Sequence, residues 1–178
     1  MAASVAARGR IAPLTRRLRV ADCTRQATGR AAMTVRTAVI LARKGTDVAT
    51  IEPGASLLDA ARVLAERNIG ALVVSADAKA VEGVLSERDI VRRVARNGAV
   101  ALRLLVGDVM TAEVITCDRH ATADELMAIM TERRIRHVPV VEDGHLAGIV
   151  SIGDVVKSRM DELETEAESL HDYVTGSY

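Results

Sequence analysis

Two stretches of this sequence follow one plan, and a chain that repeats itself at this scale folds as two similar units. Residues 134–154 read as strand, turn, strand and the first turn of a helix. Val138 to Val141 is a short β-branched run, Asp143-Gly144 marks a turn, and Leu146 to Val150 returns, which together describe a hairpin. Ser151 stands three residues ahead of Asp154, just before Val155 and Val156, a capping-box-like helix start with Asp in place of Glu or Gln. The same order occurs earlier: Ala71 to Ser75 is one strand, Val81 to Leu85 the next, and Ser86 to Asp89 opens a helix before Ile90 and Val91. The correspondence extends outward, with Thr50 matching Thr116, Ser56 matching Thr122, Glu66-Arg67 matching Glu132-Arg133, Ile69 matching Ile135 and Gly83 matching Gly148. One residue of slippage, in the hairpin loop, aligns the two copies. Such a unit cannot bury its own apolar face alone, so the copies are expected to stack.

Taken in order, residues 1–34 show no helical or strand period, are rich in Arg and Ala, and contain Asp22 as their only acid. They are expected to form a disordered extension, either an upstream addition to a bacterial chain that begins at Met33 or a mitochondrial transit segment. Val35 to Lys44 predicts a short helix stopped by Gly45, and Val48 to Ile51 a strand closed by Pro53-Gly54. Ser56 with Asp59 caps a helix whose apolar face is Leu57, Ala60, Ala61 and Leu64. After the first hairpin, the helix from Ser86 stops at Asn97-Gly98, and Ala101 to Met110 is a linker of helical character. Val114 to Cys117 opens the second unit as a strand, and Thr122 with Glu125 caps a helix faced by Leu126, Met127, Ile129 and Met130. The last helix runs from Ser151 to about Tyr173, and its acidic part, Asp161 to Glu168, reads as a solvated face. The fold class that follows is α/β (α+β): two β-α-β-β-α units, sheet to sheet about a pseudo-twofold axis, helices outside. The boundaries are 1–34 for the extension, 35–105 and 106–163 for the repeats, and 164–178 for the acidic helix end and tail.

At 178 residues, with 49% hydrophobic and 27% charged residues, the chain can bury one sizeable core. Its net charge is zero, it has no Trp or Phe, and its two Tyr lie at the C-terminal end, so base-stacking platforms are missing and nucleic acid is not an expected partner. No apolar run approaches the roughly 18 residues of a membrane helix. Cys23 and Cys117 are too far apart to suggest a disulfide framework or a metal site, and Cys117 reads as a small core residue.

The doubled pattern resembles a tandem pair of cystathionine-β-synthase (CBS) domains, a Bateman module. Gly83-Val-Leu-Ser86-Glu-Arg-Asp89 and Gly148-Ile-Val-Ser151-Ile-Gly-Asp154 match that family's Gly-x-x-(Ser/Thr)-x-x-Asp signature. Val106-Gly-Asp-Val-Met110-Thr111 resembles its lead-in to a repeat, and Arg136-His-Val-Pro139-Val its mid-repeat strand. The C-terminal residues from Tyr173 to Tyr178 are similar to the tail of small stand-alone CBS proteins of alphaproteobacteria and plant mitochondria.

What the resemblance implies is an adenine nucleotide in the clefts between repeats, AMP foremost, with ATP, ADP or NADH as alternatives and no metal. The signature Asp would accept the two ribose hydroxyls, since a carboxylate offers only acceptors and a diol two donors. The signature Ser, at a helix N-terminus, would favour a phosphate. One site would join Ser86, Arg88 and Asp89 to Thr116, Ile135, Arg136, His137 and Pro139. The other would join Ser151 and Asp154 to Thr50, Ile51, Gly70, Ala71 and Leu72. Arg88, Arg136 and His137 make the first site basic, whereas the second is expected to lack cationic neighbours. Read from the residues alone, each Ser–Asp pair is also a sufficient capping box with no ligand.

Neither a nucleophile–base–orienter set nor a Walker-type loop is present in the sequence, so a sensor without catalysis is expected. The competing readings are a structural dimerisation module and a nucleotide-hydrolysing enzyme working through His137. A homodimer is expected, closed over Ile90, Val91 and Val94 of one helix and Val155, Val156 and Met160 of the other. A regulated partner protein is implied but not identified. The expected location is the cytoplasm, or the mitochondrial matrix if residues 1–32 are a transit peptide.

Overall fold

The computed structural model describes residues 35–176. The expectations for residues 1–34, Cys23 included, and for the last two residues lie outside that range.

Among the described residues, five α-helices and five strands follow in the order α1 (Thr37–Lys44), β1 (Thr50–Ile51), α2 (Leu57–Arg67), β2 (Ala71–Val74), β3 (Gly83–Ser86), α3 (Glu87–Asn97), α4 (Ala123–Arg133), β4 (His137–Glu142), β5 (His145–Ser151) and α5 (Ile152–Thr175). Local chemistry sets most of the boundaries. The Ser56 hydroxyl accepts the Asp59 amide at the start of α2, and Thr122 with Glu125 forms a reciprocal capping box at the start of α4. Between β4 and β5, Asp143 and Gly144 both have positive φ, 48° and 79°, as a tight two-residue hairpin turn requires. The linker ahead of the second repeat forms two short 3-10 segments, Gly98–Arg103 and Val106–Asp108.

The first repeat carries a three-stranded sheet ordered β1-β2-β3, with β1 parallel to β2 and β2 antiparallel to β3. The second carries β4 and β5, antiparallel, with a register shift between Val140 and Val141. The strand expected at Val114 to Cys117 is reduced to one parallel bridge, Cys117 to Val140. It ends there because Asp118 folds back, its carboxylate accepting the His120 and Ala121 amides.

The core has three parts, and strand alternation explains the division. Leu72 and Val74 of β2 face α2 and α3, together with Leu57, Ala60, Leu64, Leu85 and Ile90. Val138 and Val140 of β4 face α4 and α5, with Leu126, Met130 and Val155. Between the sheets lies a third cluster, in which Val73, Val81, Val84 and Val48 of the first repeat meet Val114, Val141, Leu146 and Ile149 of the second. Corresponding residues of the two copies (Val48 and Val114, Val84 and Ile149) share this cluster, as packing about a pseudo-twofold axis demands. Cys117 is 4% exposed in the second core.

The lead-in segments cross over. Helix α1 precedes the first repeat in sequence, yet Ile40 and Leu41 belong to the core of the second. The Thr37 amide and hydroxyl both donate to the Ala121 carbonyl, and the Ala123 amide donates to Val35. Reciprocally, Val106, Leu102, Leu104 and Met110 of the linker pack in the core of the first repeat. There the Leu57 amide donates to Leu104 and the Val106 amide to Ala55. Two corresponding glycines admit these segments. A Cβ on Gly83 would collide with the Met110 sulfur, and one on Gly148 would lie 2.7 Å from Leu41 Cδ2.

One expectation about the surface is corrected. Ile90 and Val155 are 8% and 0% exposed, turned into the cores of their own repeats, whereas Val91, Val156 and Met160 are 66%, 42% and 56% exposed. The apolar pairs at the start of α3 and α5 straddle the helix phase: one member faces the sheet and the next, about 100° around, faces outward.

Candidate functional site

Both signature pairs sit where a strand turns into a helix. Ser86 ends β3 and Asp89 lies in the first turn of α3; Ser151 ends β5 and Asp154 lies in the first turn of α5. In each pair one carboxylate oxygen, Oδ2, accepts the serine amide and hydroxyl, at 3.0 and 2.6 Å in the first and 2.8 and 2.7 Å in the second. The capping reading therefore holds for both pairs. It does not exhaust them, because a carboxylate has about four lone-pair positions and the second oxygen retains acceptor capacity.

The first cleft, about 320 Å³, brings Ser86, Arg88 and Asp89 together with Ile135, Arg136 and His137 of the other repeat. Arg88 also ties the repeats directly, its guanidinium donating to the Arg134 carbonyl at 3.2 Å, at the carbonyl end of α4. Arg92, Arg133 and Arg134 complete a strongly basic lining, relieved by Glu113. Arg92 was missed, although it lies four residues after Arg88 and hence on the same helical face.

The second cleft, about 560 Å³, is lined by Gly70, Ala71 and Ser151 as expected, and by Val48, Ala49, Arg67, Ile149 and Lys44, which were not. The expectation that this cleft lacks cations is overturned. The crossover of α1 delivers Lys44, whose ammonium lies 2.6 Å from Asp154 Oδ2 and donates to the Ile149 carbonyl. Burial pushes the Asp154 carboxyl up, but the Lys44 and Ser151 donors outweigh it and hold the group below its ordinary value. Asp154 itself opens onto an adjoining groove, with Lys44 lining both that groove and the cleft. Both volumes fall within the roughly 300–1,000 Å³ of small-molecule sites.

Besides Asp154, five expected residues do not line the clefts. Thr116 is 2% exposed and Leu72 0%, Pro139 is buried, and Thr50 and Ile51 are tied into β1. The residues that face the clefts are their neighbours, Ile115 in one copy and Ala49 in the other. Extended backbone alternates its faces, so a one-residue error in phase exchanges the wall for the core. Thr116 shows this exchange, being buried, whereas Thr50 in the first repeat is half-buried.

His137 is also placed differently from expectation. It lines the first cleft and equally the second. Burial, then the positive charges of Arg136 and Lys44, press its pKa below the ordinary imidazole value, against the opposing influence of Asp154 and Glu87. The ring is therefore neutral at pH 7. A base with a lowered folded pKa is protonated more readily in the unfolded chain, so stability is expected to fall as pH drops below about 6.5, the unfolded value, until the folded ring itself titrates. Thermal melts between pH 7.5 and 5.5 check this: His137→Gln should flatten that part of the profile, and a profile identical to wild type would refute it.

A model of the CBS domain matches this chain twice, over residues 41–96 and 106–161. The chain belongs to the CBS-domain family. The second match begins within the linker, and the two together span the paired clefts. Among solved structures, a CBS-domain containing protein of Agrobacterium tumefaciens is 49% identical with a TM-score of 0.68, covering 70% of this chain and 99% of that one. The CBS domain pair of protein MJ0100, solved in complex with 5-methylthioadenosine and S-adenosyl-L-methionine, is 26% identical with a TM-score of 0.62, covering 70% of this chain and 94% of that one. A mitochondrial CBS domain-containing protein of Arabidopsis thaliana, CBSX3, is 37% identical over 127 residues, which are 69% of this chain and 62% of that one. Among the described residues of this CBS pair, no group of three or more His, Cys, Asp or Glu is placed to hold a metal ion, and no helix is long and apolar enough to cross a membrane.

Proposed function

We propose that this CBS pair is an adenine-nucleotide-binding regulatory module, taking AMP or a related adenylate in the clefts and altering a partner surface as it does so. The observation that carries the reading is the first cleft. A capped carboxylate from one repeat, Asp89, shares one cavity with Arg88, Arg136 and the Arg133–Arg134 pair, which come from both repeats. A nucleoside monophosphate needs an acceptor for its diol and cations for its phosphate, and arginine supplies the latter in fork geometry. The MJ0100 pair in complex with two adenosine compounds supports the ligand class. Ligand that bridges the repeats changes their relative angle to the extent that it binds one arrangement better. Titration calorimetry with AMP, ADP, ATP and NADH tests this. Saturable binding of at least one, with the nucleotide recovered unchanged, is the expected result. No binding to any of them, or turnover of the bound nucleotide, would overturn it.

The same proposal includes a homodimer, with its contact surface revised to the residues that are exposed: Val91 on α3, and Val156 and Met160 on α5. Charge favours setting α3 of one copy against α5 of the other, since α3 carries Arg93 and Arg96 outside the cleft lining while distal α5 carries Glu164, Glu166 and Glu168. Light scattering should report twice the chain mass of 19.0 kDa at micromolar concentration. A monomer across that range would refute it.

A further inference from the structure

One side chain belongs to both clefts. His137 opens β4, paired with Ser151 across the hairpin; the residue lines the first cleft and the second, and its ring stands beside Gly70 of the second. It reaches the second because the other repeat makes room. The residues corresponding to Arg136-His137 are Gly70-Ala71, and a Cβ on Gly70 would stand 3.2 Å from His137 Cε1, 3.5 Å from Nε2 and 3.7 Å from Glu87 Oε2. A side chain at position 70 would press on the ring and require it to shift by a few tenths of an ångström. Its electrostatic neighbours come from both signature helices, Glu87 from α3 and Asp154 from α5, together with Lys44 of α1 and Arg136 of its own strand.

We infer that His137 is a positioning and specificity residue shared by the two nucleotide clefts, so that a ligand in one sets the orientation of the ring that the ligand in the other meets. The inference rests on the nucleotide reading above and deepens it. A neutral imidazole has one N–H donor. Two phosphate-bearing ligands, one on each side, compete for it, and the first to bind orients the ring toward itself. Coupling between the clefts is therefore negative while the ring is neutral. It weakens once the ring is protonated and both nitrogens donate.

AMP titrations followed by two-dimensional amide NMR test this, with the Ser86 and Ser151 amides as separate reporters of the two clefts. His137→Ala should weaken AMP at both reporters, each on the order of tenfold, the worth of a hydrogen bond to a charged group. Gly70→Ala supplies the sharper measurement, because Gly70 lines the second cleft and not the first. It should change affinity at the Ser86 reporter, and that remote effect should vanish when His137 is alanine, the signature of a coupled pair in a double-mutant cycle. His137→Gln, checked by retained amide dispersion, replaces the alanine variant if the latter fails to fold. Loss at one reporter only, or a Gly70→Ala effect at Ser86 that persists without His137, would overturn the shared role while leaving nucleotide binding intact. If neither reporter moves with millimolar AMP, the nucleotide reading itself fails and this inference with it.

Discussion

Leu41→Ala should lower the stability of the fold by about 2–5 kcal/mol, the cost of truncating a buried leucine. Leu41 is 3% exposed and sits among the residues of the second repeat's core. Its methyl groups occupy the space left by the missing side chain of Gly148, so the cavity cannot close by a small shift of β5. For a domain of this size each kcal/mol lowers the melting temperature by roughly 2–4 °C. Far-ultraviolet circular dichroism melts provide the measurement. Were α1 a loosely attached leader of the first repeat, the change would stay within about 0.5 kcal/mol, as for an ordinary surface site. A loss that small would refute the crossover.

Asp89→Ala should remove most of the stabilisation that AMP confers. That stabilisation is about RT ln(1 + [L]/Kd), roughly 2.7 kcal/mol at a hundredfold excess over Kd. Losing a charged acceptor for the ribose hydroxyls costs on the order of 1.5–3 kcal/mol. Asp89 also holds the Ser86 amide and hydroxyl, so the ligand-free variant should itself melt lower by the worth of a cap, about 1 kcal/mol. Melts with and without AMP separate the two roles. A variant that melts lower but keeps its full ligand shift would show that Asp89 is a cap only. Asp154→Ala should cost less ligand-induced stabilisation, because Lys44 already engages that carboxylate.

Much of this was legible in the residues because the forces involved are local. A cap acts over three positions, so Ser56 with Asp59, Thr122 with Glu125, and the two signature pairs could be read directly from spacing. The Asp143-Gly144 turn and the Leu57, Ala60, Leu64 face were legible for the same reason. What escaped reading depends on distant parts of the chain. Lys44 meets Asp154 only because α1 crosses to the other repeat. Thr116 and Ile115 are equally suited to a strand, and which of them faces a cleft is decided by how the two sheets meet. Val155 and Val156 are the same residue type one helical step apart, and only the direction of the sheet sends the first inward. The second position of His137 required knowing that Gly70 lies opposite it.

The exchanged lead-ins also bear on how such a chain can be divided. A cut between residues 105 and 106, where the sequence invites one, would leave α1, which completes the second core, on the first half and would carry Val106 and Met110 of the first core away on the second. Neither half is then a sound folding unit, and mixing them should restore structure by complementation rather than by simple docking. The same interlock defines the motion available to a bound nucleotide. The halves are clasped at two places and cannot part like a hinged shell. Rotation about the common axis is the relative movement that would keep both clasps closed.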